Sequence, residues 1–221
     1  MEGNPMIRLD ILSDIVCPWC YVGKAFLDRA LEAHPDHPFA IEWHPFQLDP
    51  AMPGEGMDRR AYMEAKFGGP EGVARAHQPL IEHAKAAGVE LNLGRIERTP
   101  NTLDAHRLIH WAGLEGRQAA MVSALFRAYW RDGRDVGEAE VLAEIAGEVG
   151  LDREMVRRLL ASDGDVAEIR AREAHARERG VNAVPTFIIA NRHVVQGAQP
   201  AEVWGRNIED IAGKLKDSAN V

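Results

Sequence analysis

An α/β fold, in which a small sheet is interrupted by a large all-helical insertion, is predicted by three features of this 221-residue chain. Short apolar runs of strand character occur near its two ends, at about Ile7–Ile11, Phe39–Trp43 and Thr186–Gly197. Helical spacing broken by glycine-rich turns fills the stretch from about Arg59 to Leu160. The first apolar run passes within a few residues into helical spacing, which marks a strand-to-helix turn.

Ile7, Leu9 and Ile11 alternate with Arg8 and Asp10, the period of a strand buried on one face. Ser13-Asp14-Ile15-Val16 leads into Cys17-Pro18-Trp19-Cys20, after which Val22, Phe26 and Ala30, with Leu27 and Leu31, recur at helical spacing. This helix is expected to stop near His34-Pro35, because proline lacks the N–H and clashes with the preceding turn. Phe39, Ile41 and Trp43 alternate with Ala40, Glu42 and His44 as a second strand, and Pro45 to Gly54 reads as a loop leaving the sheet. Within the insertion, Gly68-Gly69-Pro70, Gly88, Gly113 and Gly150 separate helices. One of them, Ala119 to Trp130, has a wide methionine and aromatic face that reads as core.

A helix from about Asp165 ends before Gly180, a residue suited to the left-handed C′ position. A strand from Thr186 to Ala190, a tight turn at Asn191-Arg192 and a strand from His193 to Gly197 follow. Pro200 then opens a last helix that places Trp204, Ile208, Ile211 and Ala212 on one face. The expected division is a discontinuous sheet domain, residues 1–45 and 163–221, and a helical insertion subdomain, residues 46–162. Because no flexible linker separates them, the insertion is expected to form a lid on the sheet domain rather than fold by itself.

A net charge of −8 argues against a nucleic-acid partner. No segment approaches the ~18 consecutive apolar residues of a membrane span. Met1 to Asp10 lack the positive and apolar regions of a secretory signal. The expectation is a cytoplasmic protein without a membrane partner, in a compartment where a structural disulfide is unusual and a reactive dithiol is not. The sequence carries no signal for an oligomeric state.

The two cysteines of the chain are Cys17 and Cys20. A thiolate at a helix start meets unsatisfied N–H groups and the positive end of the macrodipole, and a second thiol one turn on can resolve a mixed disulfide. Such a pair at a strand–helix junction is the pattern of a redox dithiol. A zinc site would need two more ligands; among the nine histidines only His34 and His37 approach the spacing, and they flank prolines at a helix exit. No metal is expected. Cys17, preceding Pro18, is expected to be the more exposed and more reactive thiol, with Cys20 as its partner. A four-stranded thioredoxin-type sheet split by an all-helical insert satisfies the order of elements.

Four motifs occur in order: Ser13-Asp14-x-x-Cys17-Pro18-Trp19-Cys20-Tyr21-x-Gly23, Asn101-Thr102-x-x-Ala105-His106-Arg107-Leu108, Gly180-Val181-x-x-Val184-Pro185-Thr186-Phe187 and Gly197-Ala198-Gln199. In these the chain resembles the cytoplasmic DsbA-family thioredoxin-like oxidoreductases called FrnE-like proteins. That group is related to the glutathione-using 2-hydroxychromene-2-carboxylate isomerases and kappa-class glutathione transferases. The resemblance implies a thioredoxin-like fold and a thiol–disulfide oxidoreductase that oxidises, reduces or isomerises disulfides of proteins or small thiols. It makes Cys17 the attacking and leaving thiolate and Cys20 the resolving thiol. Pro18, Trp19, Val184, Pro185 and Thr186 become substrate-binding residues, with Pro185 in a cis peptide bond; the residues alone equally allow a trans proline opening a strand.

No metal or organic cofactor is expected, the dithiol being itself the redox group, with glutathione as a candidate co-substrate. The isomerase and transferase branches typically place serine at the Cys17 position, so a cysteine there favours dithiol chemistry. The rival readings are a glutathione-dependent isomerase or transferase and a non-enzymatic holdase. Asn101 and His106 either line a groove facing Cys17 or are hydrogen-bonded core residues that fix the insert on the sheet.

Overall fold

The computed structural model describes residues 6–219, with side-chain surroundings as far as residue 215. Residues 1–5 and 220–221 lie outside the described part, and with them the outer limits of the expected sheet domain and half of the N-terminal segment read above as lacking a signal. In chain order the elements are β1 (Ile7–Ser13), α1 (Pro18–Ala33), β2 (Phe39–Pro45), β3 (Met57–Asp58), α2 (Arg59–Phe67), α3 (Pro70–Ala87), β4 (Arg98–Thr99), α4 (Leu103–Leu114), α5 (Gln118–Phe126), α6 (Ala139–Val149), α7 (Arg153–Leu160), α8 (Val166–Glu178), β5 (Thr186–Ile189), β6 (His193–Gln196) and α9 (Ala201–Ala219). No described helix is long and apolar enough to cross a membrane.

The sheet runs in the order β2-β1-β5-β6. β1 lies parallel to β2, with Ile7 opposite Phe39 and Ser13 opposite Pro45, and antiparallel to β5, with Leu12 opposite Thr186. The parallel pair needs a crossover, which α1 supplies, and the antiparallel β5–β6 pair needs only the turn at Ala190 and Asn191, both in the left-handed region. That turn ends the strand at Ile189, one residue earlier than the apolar run. α1 starts and stops where its sequence directs: Cys17 is the extended N-cap, Pro18 occupies the first turn, and the C-cap is His34, just before Pro35.

The insertion departs from the all-helical expectation at two places. β3 and β4 form a two-stranded antiparallel ribbon that closes the loop between α3 and α4 back onto the start of α2. Two-residue strands carry no readable period, so the sequence pattern could not disclose them. The expected helix Ala119–Trp130 is α5 followed by a π-helical turn over Arg127–Arg131. With that turn Tyr129 and Trp130 both lie in the interior, edge to face at 4.9 Å.

Sheet and insertion share one apolar core. Leu9 and Ile11 of β1, Leu108 of α4, Leu125 of α5, Trp130 and Leu142 of α6 belong to a single buried cluster. Polar seams cross the same boundary. The Trp130 indole donates to the Ile15 carbonyl at 2.8 Å. The Gln118 amide accepts from Trp43 N at 2.9 Å and donates to Trp43 O at 3.1 Å, pairing with an edge strand as another strand would. Arg107, almost fully buried, donates to the carbonyls of Leu159, Ser162 and Gly164 at 2.7, 2.7 and 2.8 Å, which fixes the return from α7 to α8.

Candidate active site

Cys17 stands at the junction of the β1 exit and α1. Its N–H donates to the Asp14 carbonyl at 3.1 Å, which turns the chain, and its own carbonyl accepts from Cys20 N at 3.1 Å, the first turn of the helix. No acidic side chain lies in that first turn to compete for the free N–H groups. The Cys17 thiol donates to the Val184 carbonyl at 3.6 Å, so the Val184–Pro185 segment faces the dithiol across the fold. The Val184–Pro185 peptide is cis. Gly23 permits this approach of α1: a Cβ there would come within 3.2 Å of Pro185 Cγ and 3.3 Å of Ala198 Cα.

Both thiols are free and buried, Cys17 at 3 % and Cys20 at 1 % exposure. Cys17 is thus the less buried of the two, but the helix start does not open it to bulk solvent. The side chain faces a pocket between sheet and insertion, because the insertion helices cover the position that a bare sheet domain would leave open. Burial pushes the Cys20 thiol well above the ordinary thiol range, and the neighbouring Cys17 pushes the same way, against smaller opposing contributions from the Asp14 main chain and Ser13. Cys20 is thus held as a thiol. Alkylation of the reduced protein near neutral pH is expected to label Cys17 first, with Cys20 modified only above the ordinary thiol range. Peptide mapping that finds Cys20 labelled first would overturn this order.

The pocket has a volume of about 270 Å³ and is lined near the thiol by Cys17, Pro18, Trp19 and Val184. Its lining also holds two groups that sequence reasoning passed over. Arg59, 7 % exposed, makes one side-chain hydrogen bond, to the Tyr129 hydroxyl at 3.3 Å, and lies 5.2 Å from the Trp130 ring centroid. Among the described residues it has no carboxylate partner at ion-pair distance. His77 presents a buried Nε2 with no hydrogen-bond partner, and burial first, then the Arg59 charge, hold its pKa below the usual histidine value. Tyr129, which carries Arg59, is pushed up to about 12 by burial. An arginine at the start of a charged helix, Arg59-Arg60, carries no signal in sequence; only the fold brings it to the pocket that holds Cys17.

The predicted site residues fall into two groups. Pro18, Trp19 and Val184 line the pocket, and Trp19 is braced edge-on by His83 at 5.2 Å. Pro185 is buried behind them, its carbonyl accepting from Gly197 N at 2.9 Å. Thr186 does not line this pocket: it is fully buried, and its hydroxyl donates to the Ala183 carbonyl at 2.7 Å, which braces the Val184–Pro185 turn. Asn101 likewise lies off the pocket. Its amide accepts from Gln47 Nε2 at 3.1 Å and Leu103 N at 2.9 Å and donates to Met52 O at 2.7 Å, which fixes the 46–52 loop over Cys17. His106 is buried, and its Nε2 faces Asp14 Oδ1 at 3.6 Å. Away from the pocket, Asp10, Glu42 and His44 converge within 4.8 Å, but Arg8 and Arg172 already ion-pair with them. Their charges are compensated without an ion.

A dithiol at the start of a helix, opposed by a cis-proline turn on a four-stranded mixed sheet, is the apparatus of a thioredoxin-fold thiol–disulfide oxidoreductase. The sequence matches the DSBA-like thioredoxin domain over residues 8–209, and the chain belongs to that family. A "probable DsbA oxidoreductase" of Streptomyces coelicolor is 36 % identical, with a TM-score of 0.84 over 94 % of this chain and 90 % of its own. The fold alone is shared with a 2-hydroxychromene-2-carboxylate isomerase, at 18 % identity, a TM-score of 0.74 and coverage of 95 % and 98 %. It is shared too with the cytosolic disulfide reductase DsbM of Pseudomonas aeruginosa, solved with GSH, at 23 % identity, a TM-score of 0.61 and coverage of 97 % and 100 %.

Proposed function

We propose that the protein exchanges disulfides of small, anionic thiols of the glutathione kind, in the cytoplasm, with Cys17 and Cys20 as the redox group. Cys17 attacks the substrate disulfide, one substrate thiolate leaves, and Cys20 displaces the second from Cys17 as the internal disulfide forms. The carrying observation is that the pocket joining Cys17 to a buried arginine without a carboxylate partner is sized for a small molecule. A charge buried without its counter-ion is costly, and a carboxylate of the bound thiol would supply it through charge-assisted hydrogen bonds. His77 Nε2, beside it, offers a neutral partner for a second polar group. Trp19 and Pro18 supply apolar contact next to the reacting sulfur, and the Val184 main chain holds the substrate opposite Cys17. DsbM, bound to GSH in its own structure, gives the same fold a tripeptide thiol as ligand, which supports this choice of substrate class.

The test compares exchange of the reduced protein with glutathione disulfide and with the neutral bis(2-hydroxyethyl) disulfide. Arg59→Gln is expected to raise KM for glutathione disulfide by about tenfold or more, as loss of a charged hydrogen bond worth about 1.5–3 kcal/mol requires. It should leave the neutral disulfide within about twofold. Equal loss on both substrates, or none on either, would remove Arg59 from substrate recognition. Failure of the wild-type protein to exchange with either disulfide would overturn the oxidoreductase reading itself.

A further inference from the structure

Arg172 of α8 reaches the outer strand of the sheet and ends among three acceptors. Its Nη2 lies 3.0 Å from Glu42 Oε1 and 2.8 Å from His44 Nδ1, and its Nη1 lies 3.3 Å from Nδ1 of His110, on α4 of the insertion. A guanidinium can only donate, so His44 accepts at Nδ1 and carries its proton on Nε2, which lies 2.7 Å from Asp10 Oδ1. These partners fix the imidazole as one neutral tautomer. A second proton would stand on Nδ1 against Arg172, turning an acceptor into a like charge. Burial holds the His44 pKa below the usual histidine value; the hydrogen bond to Asp10 and the Glu42 charge oppose this, and the Arg172 charge adds to it.

The same helix grips a loop of the dithiol pocket. Glu173, next to Arg172 and 5 % exposed, accepts from Gln47 N at 3.1 Å. Arg177, paired with Glu173 at 2.7 Å, donates to Gln47 O at 2.5 Å. One residue on, Leu48 N donates to Asp14 Oδ2 at 2.7 Å, and Leu48, Asp49 and Met52 line the pocket together with Cys17. Only Pro45 and Phe46 separate His44 from Gln47, so the loop is tied to His44 both along the chain and through α8. We propose that His44 is a positioning residue for this pocket: while neutral it holds Arg172, and with it α8, so that the 46–52 loop stays closed, and on protonation it releases the loop. This rests on the reading of the pocket as the substrate site.

The charges that face His44 favour its neutral form. From β1, Arg8 pairs with Asp10 at 2.6 Å and with Glu42 of β2 at 3.2 Å, and Arg172 completes the set at Glu42. Two arginines and two carboxylates balance only if His44 carries no charge. From α4 the facing group is His110, and from α5 it is the uncharged Gln118, bound to the Trp43 main chain. His175 and Arg179 of α8 line the same cleft as His44; Arg179 adds positive charge, and His175 does so once protonated. A histidine whose pKa is lowered in the closed form takes up its proton more readily in the open one. Closure is therefore complete above about pH 6.5, weakens as pH falls through that value, and levels off below the lowered pKa.

Hydrogen exchange of the Gln47 and Leu48 amides, followed by NMR on the intact reduced protein between about pH 5 and 8 and corrected for the intrinsic rate, reads loop release directly. In wild type their protection is expected to fall severalfold toward the acid end, by at most about tenfold per pH unit because one proton is linked. The amides of Leu9 and Ile11 in β1 should keep theirs. His44→Gln, whose side chain can accept from Arg172 and donate to Asp10 but cannot titrate, is expected to hold the loop protection within about twofold across the range. Arg172→Gln should lower it at every pH and leave little dependence on pH. Flat protection in wild type would overturn the proposal. So would a fall that persists in His44→Gln, which would place the titrating group at His110 or at the Asp14–His106 contact. Wild-type protection and pH dependence in Arg172→Gln would do the same, and this variant decides if His44→Gln does not fold. No readout here uses substrate, so a wild-type protein without disulfide exchange would defeat the proposed function and not the role of His44 in holding the loop.

Discussion

Cys17→Ser is expected to abolish disulfide exchange, by at least about three orders of magnitude, the scale on which removal of a covalent nucleophile acts. Cys20→Ser is expected to keep the first attack and to accumulate the substrate as a stable mixed disulfide. The asymmetry follows from position. Cys17 opens onto the pocket and faces the Val184 carbonyl, whereas Cys20 lies one turn inside α1, almost without exposure and held as a thiol. A serine at residue 20 retains a buried hydroxyl donor but cannot displace the substrate from Cys17, so the covalent adduct loses its nearby resolving group. Non-reducing gels and intact mass of each variant after exposure to glutathione disulfide or cell extract read the result. Equal trapping by both variants, or by neither, would sink the division of labour, and suppression of aggregation that survives loss of both cysteines would point to a holdase.

Trp130→Ala is expected to destabilise the whole molecule by about 3–5 kcal/mol, the cost of deleting a large fully buried aromatic side chain, and to do so in a single transition. Trp130 sits in the π-helical turn of the insertion, packs on Tyr129, and donates to the Ile15 carbonyl of the sheet domain. Its loss would open a cavity and orphan that carbonyl. Since one apolar cluster spans both parts, we propose that the insertion is a lid subdomain of a single cooperative unit. Urea unfolding followed by circular dichroism and by fluorescence of the remaining tryptophans, among them Trp43 and Trp204 on the sheet side, should give coincident curves in wild type and variant. Two separated transitions, or residues 46–162 unfolding cooperatively as an isolated monomer at the midpoint of the intact protein, would refute the single unit.

Much of this architecture was written in local sequence. Alternation at Ile7–Ile11 and Phe39–Trp43, the break at His34-Pro35, the turn at Asn191-Arg192 and the placement of Pro200 before the last helix each express a short-range constraint of period, steric exclusion or backbone conformation. The dithiol was legible for the same reason, since Cys17 and Cys20 lie within one helical turn. What failed was anything decided by distant chain segments. The β3–β4 ribbon is two residues wide, and the π-helical turn at Trp130 meets a packing demand that no local period encodes. The resemblance assigns Thr186 to substrate contact, and the sequence leaves Asn101 open between a groove and a hydrogen-bonded core; in the fold their side chains are consumed by hydrogen bonds to Ala183 and to the 46–52 loop.

By itself, then, the sequence determined a strand–helix dithiol and a sheet in two pieces around a helical insertion, and left the Val184–Pro185 bond open between cis and trans. Only the tertiary structure decided that Cys17 opens into a pocket between sheet and insertion, that Arg59 and His77 line the same pocket, that the Val184–Pro185 peptide is cis, and that Asp14 meets His106. The physical reason is separation along the chain. Hydrogen-bond capacity and charge belong to each residue, but whether they are satisfied depends on which segments, here tens of residues apart, the shared apolar core brings together.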